Sequence, residues 1–213
     1  MKKHTDKYDL YNWVNDYINF DNKKILDFGG SFGNLIASSN GNILQDNYTC
    51  LDVDKIALHE GKTNFPSAKW IWYNRYNTMY NPNGTQEWPK LEKYDIIFSY
   101  SIFSHSSYED LISTVGYLKT LLNKDGKIYI SYPSQSNKKL VSWLMEKRIR
   151  DYGSCDSIVP NNSYIYLAEN KVVNTVPHSS DHFFTLYNDN YISTLGEVIY
   201  VDTILQNFLK ITT

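Results

Sequence analysis

The stretch Asp27-Phe28-Gly29-Gly30-Ser31-Phe32-Gly33 follows Lys24 and the apolar pair Ile25-Leu26, and it leads into a segment of helical composition that begins at Asn34. The apolar run predicts a buried strand, and the residues after it predict a glycine-rich turn that opens into a helix. Glycine residues let the backbone adopt positive φ angles and approach a ligand closely, and a helix N-terminus supplies free N–H groups. The stretch therefore predicts a strand-turn-helix unit with a ligand at its turn.

Strand and helix patterns alternate along the chain around this unit. The predicted strands cover residues 24–28, 48–53, 68–73, 94–100 and 126–132, and the predicted helices cover residues 8–20, 34–39, 55–64 and 109–122. Strands that alternate with helices form parallel sheets with helices on both faces. The pattern predicts an α/β fold of the doubly wound type.

The last third of the chain is less regular. The expected elements are a helix over 138–150, an irregular aromatic segment over 152–182, a helix over 188–195, and strands over 197–203 and 206–211. The last two strands, joined by a short turn, predict an antiparallel hairpin at the edge of the sheet. Residues 74–93 show no clear periodicity, and a loop of this length within an αβ repeat usually has a function.

Composition restricts the class of protein. The chain has 213 residues with 42% hydrophobic content, which predicts a single domain over residues 1–213. A formal net charge of -2 gives no electrostatic reason to expect a nucleic-acid partner. No run of about 18 apolar residues is present, so we expect no membrane-spanning segment. The two cysteines, Cys50 and Cys155, are far apart in the sequence, which suggests reduced thiols in a cytoplasmic protein.

A second acidic residue, Asp52, lies at the end of the strand that follows the glycine turn. An acidic residue about 20 positions beyond such a turn suits hydrogen bonding to the diol of a ribose. The turn and Asp52 together predict a nucleoside cofactor. The GxGxxG fingerprint of nicotinamide-dependent dehydrogenases is absent, which argues against that class.

Four passages in the sequence resemble the motifs of class I S-adenosylmethionine (SAM)-dependent methyltransferases. The first is the glycine turn, in the pattern apolar-Leu-Asp-x-Gly-x-x-x-Gly, and the others are residues 48–54, 94–105 and 118–130. The resemblance covers residues 20–135, and its specificity lies in the order and spacing of the whole set. Two positions depart from the family's pattern: Ser31 replaces the middle glycine, and Asn-Lys-Asp-Gly at 123–126 replaces a Pro-Gly-Gly turn.

The resemblance implies a fold, a cofactor and a set of cofactor contacts. The implied fold is a doubly wound, mostly parallel seven-stranded sheet of the Rossmann-like type with a C-terminal antiparallel hairpin, and the implied cofactor is S-adenosylmethionine. Asp27 would anchor the turn and the cofactor's amino-acid end, Asp52 would accept hydrogen bonds from the ribose hydroxyls, and Asn74 would face the adenine amino group. The predicted cofactor site comprises Asp27, Gly29, Gly30, Ser31, Gly33, Asp52, Val53, Asn74 and Tyr100.

The acceptor side of the site is predicted from position along the chain. Positioning and desolvation supply much of the rate of methyl transfer, and a base is needed only when the acceptor must lose a proton. His105 follows the fourth predicted strand, where a neutral imidazole can take a hydroxyl proton, and the alternative is a structural or substrate-orienting histidine. Tyr76, His178 and His182 are candidate acceptor contacts. The i, i+4 spacing of the last two also fits a metal pair, but Pro177 favours a loop and the sequence shows no third ligand, so we predict no metal site.

These observations predict an enzyme that transfers a methyl group from SAM to a hydroxyl or amine of a small-molecule acceptor. Two alternatives remain open: a methyltransferase that acts on RNA or protein, and a non-catalytic nucleoside-binding scaffold with the same fold. The sequence lacks the Asn/Asp-Pro-Pro-Tyr motif associated with methylation of base amino groups, and it carries no basic extension. A small-molecule acceptor is therefore the favoured hypothesis.

Overall fold

The structure is a computed structural model. It describes residues 9–76, 81, 83–106, 108–134, 136–140, 142, 158–161, 163–167, 183–187, 189–200 and 206–212. The strands are β1 Ile25–Phe28, β2 Tyr48–Asp52, β3 Lys69–Trp72, β4 Tyr94–Ser99, β5 Leu122–Tyr132, β6 Ile158–Asn161, β7 Ser163–Leu167, β8 Phe183–Tyr187, β9 Glu197–Ile199 and β10 Asn207–Thr212. The helices are α1 Leu10–Val14, α2 Asn34–Ser38, α3 Lys55–Asn64, α4 Tyr108–Thr120 and α5 Asp189–Ile192.

Seven of the strands form one sheet in the order β3-β2-β1-β4-β5-β10-β9. The first five strands pair in parallel, and β10 runs antiparallel to both β5 and β9. The prediction of a doubly wound, mostly parallel seven-stranded sheet with a C-terminal antiparallel hairpin is confirmed. The remaining strands, β6, β7 and β8, form a separate three-stranded antiparallel sheet.

Strand β1 shows why the central strands are apolar on both sides. All four of its residues are buried, and successive side chains of a strand point to opposite faces of the sheet. Ile25 belongs to the hydrophobic cluster on one face, together with residues of α1 and α2, and Leu26 belongs to the cluster on the other face, together with residues of α4. A parallel sheet covered on both faces places the carboxyl ends of its strands at one open edge, where ligands bind.

Several predicted boundaries are wrong. The first helix ends at Val14 and not at residue 20, although Ile18 and Phe20 beyond its end are still buried in the core. Strand β5 begins at Leu122, so the predicted turn over 123–126 lies within the strand, where Asp125 adopts a φ of +63°. The register between β4 and β5 shifts at this point, which absorbs the irregularity without ending the strand.

The segment that we expected to be irregular, residues 152–182, contains strands β6 and β7. These strands pair with each other in antiparallel orientation, and β8 completes their sheet. The expected turn over 203–205 and the expected helical residues 143–150 lie outside the described residues. Within the described part of the chain, no helix is long and apolar enough to cross a membrane.

Candidate functional site

A cavity of about 280 Å³ opens at the carboxyl ends of the parallel strands. Its walls come from the ends of β1 and β2, the loop after β3, the loop after β4, and the first turns of α4. The residues of these walls are Phe28, Gly29, Leu51, Asp52, Val53, Arg75, Tyr76, Asn81, Trp88, Ser101, Ile102, Phe103, Ser106, Asp110 and Thr114. The structure thus brings together four of the predicted site residues, Gly29, Asp52, Val53 and Tyr76.

Asp52 is held in place by two backbone hydrogen bonds. Its Oδ2 accepts from the N–H of Ser31 at 2.8 Å, and its Oδ1 accepts from the N–H of Asp54 at 2.9 Å. Burial raises the pKa of Asp52, and the two N–H donors oppose that rise. Each carboxylate oxygen can accept more than one hydrogen bond, so both oxygens retain capacity for the hydroxyls of a diol.

Gly29 borders the cavity in a conformation that favours glycine. Its φ is +75°, and its N–H donates to the carbonyl oxygen of Leu51 at 2.8 Å, which ties the turn to β2. A Cβ atom at this position would lie 2.5 Å from Cγ1 of Ile102 and closer still to its Cδ1. The close approach that the sequence predicted for a ligand at Gly29 is therefore made, in this structure, by the side chain of Ile102.

The other two glycines of the turn serve packing and do not border the cavity. A Cβ atom on Gly30 would lie 2.6 Å from the carboxyl carbon of Asp27. A Cβ atom on Gly33, where φ is +87°, would lie 2.7 Å from the Trp70 ring. Ser31 adopts a φ of +53° at the position where the family has its middle glycine, and it contributes its backbone N–H to Asp52.

Asp27 lies beneath the turn and not on the cavity wall. It is 3% exposed, and its Oδ2 accepts a hydrogen bond from the hydroxyl of Tyr48. Burial raises the pKa of Asp27 to about 7, against the effect of that hydrogen bond. The predicted anchoring of the turn by Asp27 fits this position, because Gly30 packs directly on its carboxyl group.

The loop after β3 contributes a different asparagine from the one predicted. The Oδ1 of Asn74 accepts from Nδ2 of Asn81 at 2.7 Å, and the same nitrogen lies 2.9 Å from the carbonyl oxygen of Arg75. Asn81 borders the cavity, whereas Asn74 supports it from behind. Asn81 therefore lies on the cavity wall where Asn74 was expected, and the contact of Asn74 with a bound base stays a prediction.

A three-layer stack fixes the far end of this loop against α4. The guanidinium carbon of Arg75 lies 3.8 Å from the centre of the Trp88 ring, and Trp88 stacks on Tyr117 with ring centroids 4.3 Å apart and planes inclined by 7°. Nη1 of Arg75 also donates to the carbonyl oxygens of Thr85 at 3.2 Å and Gln86 at 2.8 Å. The long loop after β3, which the sequence suggested has a function, therefore forms one wall of the cavity.

The remaining predicted residues are not brought to the cavity by the described structure. The Tyr100 ring contacts Trp13 and Phe208 on the opposite face of the sheet. The backbone of His105 lies in the short 3₁₀ turn Phe103–His105, but its side chain lies outside the described part. His178 and His182 also lie outside the described residues.

Sequence reasoning missed several residues of the cavity. Asp110 and Thr114 lie at i and i+4 on α4, a spacing that places them on one helix face. Their positions on a common face could therefore have been predicted from the sequence. Ser101 and Ile102 had no such signal, because the loop after β4 turns through a serine with a φ of +62°. Among the described residues, no group of three or more His, Cys, Asp or Glu side chains is placed to hold a metal ion.

No protein-family model matches the sequence, and no curated protein matches it. Solved structures do match the fold. A SAM-dependent methyltransferase from Methanosarcina mazei has a TM-score of 0.57 and 13% identity, over 97% of this chain and 99% of that one. An S-adenosylmethionine-dependent methyltransferase from Clostridium acetobutylicum has a TM-score of 0.55 and 14% identity, over 94% of this chain and 87% of that one.

A third match is the pyocyanin biosynthetic protein PhzM, with a TM-score of 0.57 and 12% identity over 95% of this chain and 53% of that one. In several other matches, the aligned part of this chain spans between 25% and 65% of the matched protein's length. At identities this low, the similarity establishes architecture and not activity. The chain has the fold of SAM-dependent methyltransferases.

Proposed function

We propose that this protein binds S-adenosylmethionine and transfers its methyl group to a hydroxyl or amine of a small-molecule acceptor. The observation that carries the proposal is the position of Asp52, which faces a cavity bordered by Gly29 at the carboxyl edge of the sheet. Ligands of open α/β sheets bind at this edge. An acid held by two backbone N–H groups at the end of β2 is the group that a ribose diol requires.

The residues of the cavity fit a nucleoside. Asp52 would accept hydrogen bonds from the two ribose hydroxyls, and Val53 and Leu51 supply apolar surface for a base beside it. The side chain of Asn81 keeps its amide orientation through its two hydrogen bonds, so its Oδ1 is left as an acceptor for an amino group. The volume of about 280 Å³ lies just below the roughly 300–1,000 Å³ found for ligand pockets.

The chemistry asks little of the protein beyond positioning. SAM, when bound, supplies a methyl group already activated on a sulfonium. This chain's residues would hold the donor, exclude water, and accept a proton where the acceptor has one to lose. We propose that His105 accepts that proton, because its backbone lies in the loop after β4 that borders the cavity. Tyr76, His178 and His182 remain our proposed acceptor contacts.

The charges of the cavity support a small acceptor over a nucleic acid. Among the described residues that line it, the charged side chains are two carboxylates, Asp52 and Asp110, and one guanidinium, Arg75, which contacts Trp88 and the loop carbonyls. A phosphate backbone binds where cations dominate.

We also propose that residues 1–213 form one methyltransferase domain, because strands between Ile25 and Thr212 share a single sheet.

Equilibrium binding tests this proposal most directly. Calorimetric titration of the purified chain with SAM, S-adenosylhomocysteine and NAD should give binding of the first two and none of the third. A mass-spectrometric search for methylated products, with labelled SAM and a panel of small hydroxyl and amine compounds, then identifies the acceptor. Binding without turnover on any acceptor would favour a non-catalytic scaffold, and preferential binding of NAD would contradict the proposal.

A further inference from the structure

Ser101 closes the cavity at the carboxyl end of β4 in an unusual backbone conformation. Its φ is +62°, in the left-handed region that few residues other than glycine adopt. Such a conformation persists when surrounding interactions hold it in place, and residues of this kind cluster at functional sites. The contacts of Ser101 account for how it is held.

A closed ring of hydrogen bonds joins Ser101 to two residues from distant parts of the chain, Ser131 and Gln206. The N–H of Ser101 donates to Oγ of Ser131 at 2.7 Å, and Oγ of Ser131 donates to Oε1 of Gln206 at 2.8 Å. Nε2 of Gln206 then donates to Oγ of Ser101 at 3.0 Å. Ser131 is fully buried and Gln206 is 8% exposed, so the ring is shielded from solvent except at Ser101, which borders the cavity.

The direction of each hydrogen bond follows from the number of protons available. The N–H of Ser101 can only donate, so Ser131 accepts it and gives its own proton to Gln206. The reverse orientation of the Gln206 amide would leave the Ser131 proton buried without an acceptor, which folded proteins avoid. Oγ of Ser101 therefore receives a hydrogen bond from Gln206 and keeps its own proton.

That proton has no good acceptor among the described residues. Oγ of Ser104 is 3.5 Å away, which is beyond the usual range of an O–H···O hydrogen bond. The ring thus presents one hydroxyl proton at the cavity wall. This proton can be donated to an oxygen of a bound ligand.

We propose that the Ser101 hydroxyl, oriented by Gln206 and Ser131, donates a hydrogen bond to the carboxylate at the amino-acid end of the SAM cofactor. This proposal rests on the proposed function. Ser101 and Gly29 border the same cavity, and the family resemblance puts the amino-acid end of the cofactor at the glycine turn. A carboxylate accepts hydrogen bonds, whereas the cofactor's ammonium group only donates them. Ser101 is accordingly a binding residue and Gln206 a positioning residue.

Ser101→Gly separates the hydroxyl from the backbone that carries it. Glycine adopts a φ of +62° without strain and retains the N–H that donates to Ser131, so the loop keeps its shape. The two ligands to compare by calorimetry are S-adenosylhomocysteine and 5′-methylthioadenosine, which has the same nucleoside but no amino-acid carboxylate. We expect Ser101→Gly to weaken S-adenosylhomocysteine binding by about 10- to 100-fold, the loss for one hydrogen bond to a charged group. Binding of 5′-methylthioadenosine should change less than about twofold.

Gln206→Glu tests the positioning role. A glutamate in this place accepts protons from both Ser131 and Ser101, which turns the Ser101 hydroxyl away from the cavity. The same ligand-selective loss is expected, and Gln206→Glu should add no further selective loss when Ser101 is already glycine. A residue that only stabilises the fold would lower the affinity for both ligands together. Asp125→Gly is the matched control, because it removes an exposed side chain at a φ of +63°, away from the cavity, and should leave both affinities unchanged.

The possible results are distinct. A selective loss of S-adenosylhomocysteine affinity in both single variants supports the proposal. Ser101→Gly that binds S-adenosylhomocysteine within twofold of the native chain overturns it, and so does an equal loss for the two ligands. A native chain that binds neither ligand overturns the proposed function itself, and with it the assignment of a carboxylate to Ser101.

Discussion

Asp52→Asn should weaken the binding of S-adenosylhomocysteine by about 30-fold. The substitution keeps the size of the side chain and one acceptor oxygen, but it removes the charge and the second acceptor. Hydrogen bonds to charged groups contribute about 1.5–3 kcal/mol each, and the partial exposure of Asp52 favours the lower end of that range. Loss of one ligand hydrogen bond and weakening of the other amount to about 2 kcal/mol, since about 1.4 kcal/mol corresponds to a factor of ten.

Asp54→Ala provides the control for this experiment. Oδ1 of Asp54 caps α3 by accepting from the N–H groups of Ile56 at 2.8 Å and Ala57 at 3.1 Å. Loss of the cap costs about 1 kcal/mol of stability, but the backbone N–H that Asp54 donates to Asp52 remains. Calorimetry should therefore show native affinity in Asp54→Ala together with a lower melting temperature. An affinity of Asp52→Asn within twofold of the native value would refute the ribose assignment.

Three further predictions concern other parts of the site. Burial raises the pKa of Asp27 from 3.8 to about 7, so the folded chain holds a proton that the unfolded chain releases, and this group's contribution to the free energy of unfolding falls as pH rises between those values. Asp27→Asn removes that titration, and its melting temperature should decline less than that of the native chain from pH 4.5 to 7.5; parallel curves would contradict this. Trp88→Ala removes the stack with Arg75 and Tyr117 and should cost about 2 kcal/mol in thermal or urea unfolding, whereas an unchanged stability would mean that the stack contributes nothing. His105→Gln should lower turnover and leave S-adenosylhomocysteine affinity unaltered, and native activity with a native pH profile would exclude a base at this position.

The elements that could be predicted from the sequence are those whose pattern is local. Helix α3 was predicted with both of its boundaries, because Asp54 caps its start and its composition is helical up to Asn64. The five parallel strands were predicted within a few residues at each end, since apolar runs between glycines and charged residues mark buried strands. Gly29 and Asp52 were also predicted from local sequence. Gly29 belongs to the glycine turn, and Asp52 is an acidic residue about 20 positions beyond such a turn.

The features that could not be predicted depend on contacts between distant residues. Strands β6 and β7 are stabilised by pairing with each other and with β8, and their short sequences carry no clear alternation. Asn81 replaces Asn74 on the cavity wall because the loop folds back on itself, which no spacing rule describes. The ring that holds Ser101 joins residues separated by 105 positions, and a serine in the left-handed region has no sequence signature.

The direction of β10 explains how the C-terminal part of the chain reaches the cavity. Because β10 runs antiparallel to β5, its first residue, Asn207, pairs with Tyr132 at the carboxyl end of β5. Gln206, one residue earlier, is therefore placed at the edge of the sheet where the cavity opens, and a parallel strand in that position would have placed its last residue there instead. The hydroxyl of Tyr187, at the end of β8, lies 2.9 Å and 3.0 Å from the carbonyl oxygens of Phe103 and Ser106 in the same loop. In the proposed function, the parallel core supplies the wall around Asp52, and the antiparallel strands that follow it fix the loop after β4, which carries both Ser101 and the proposed base His105.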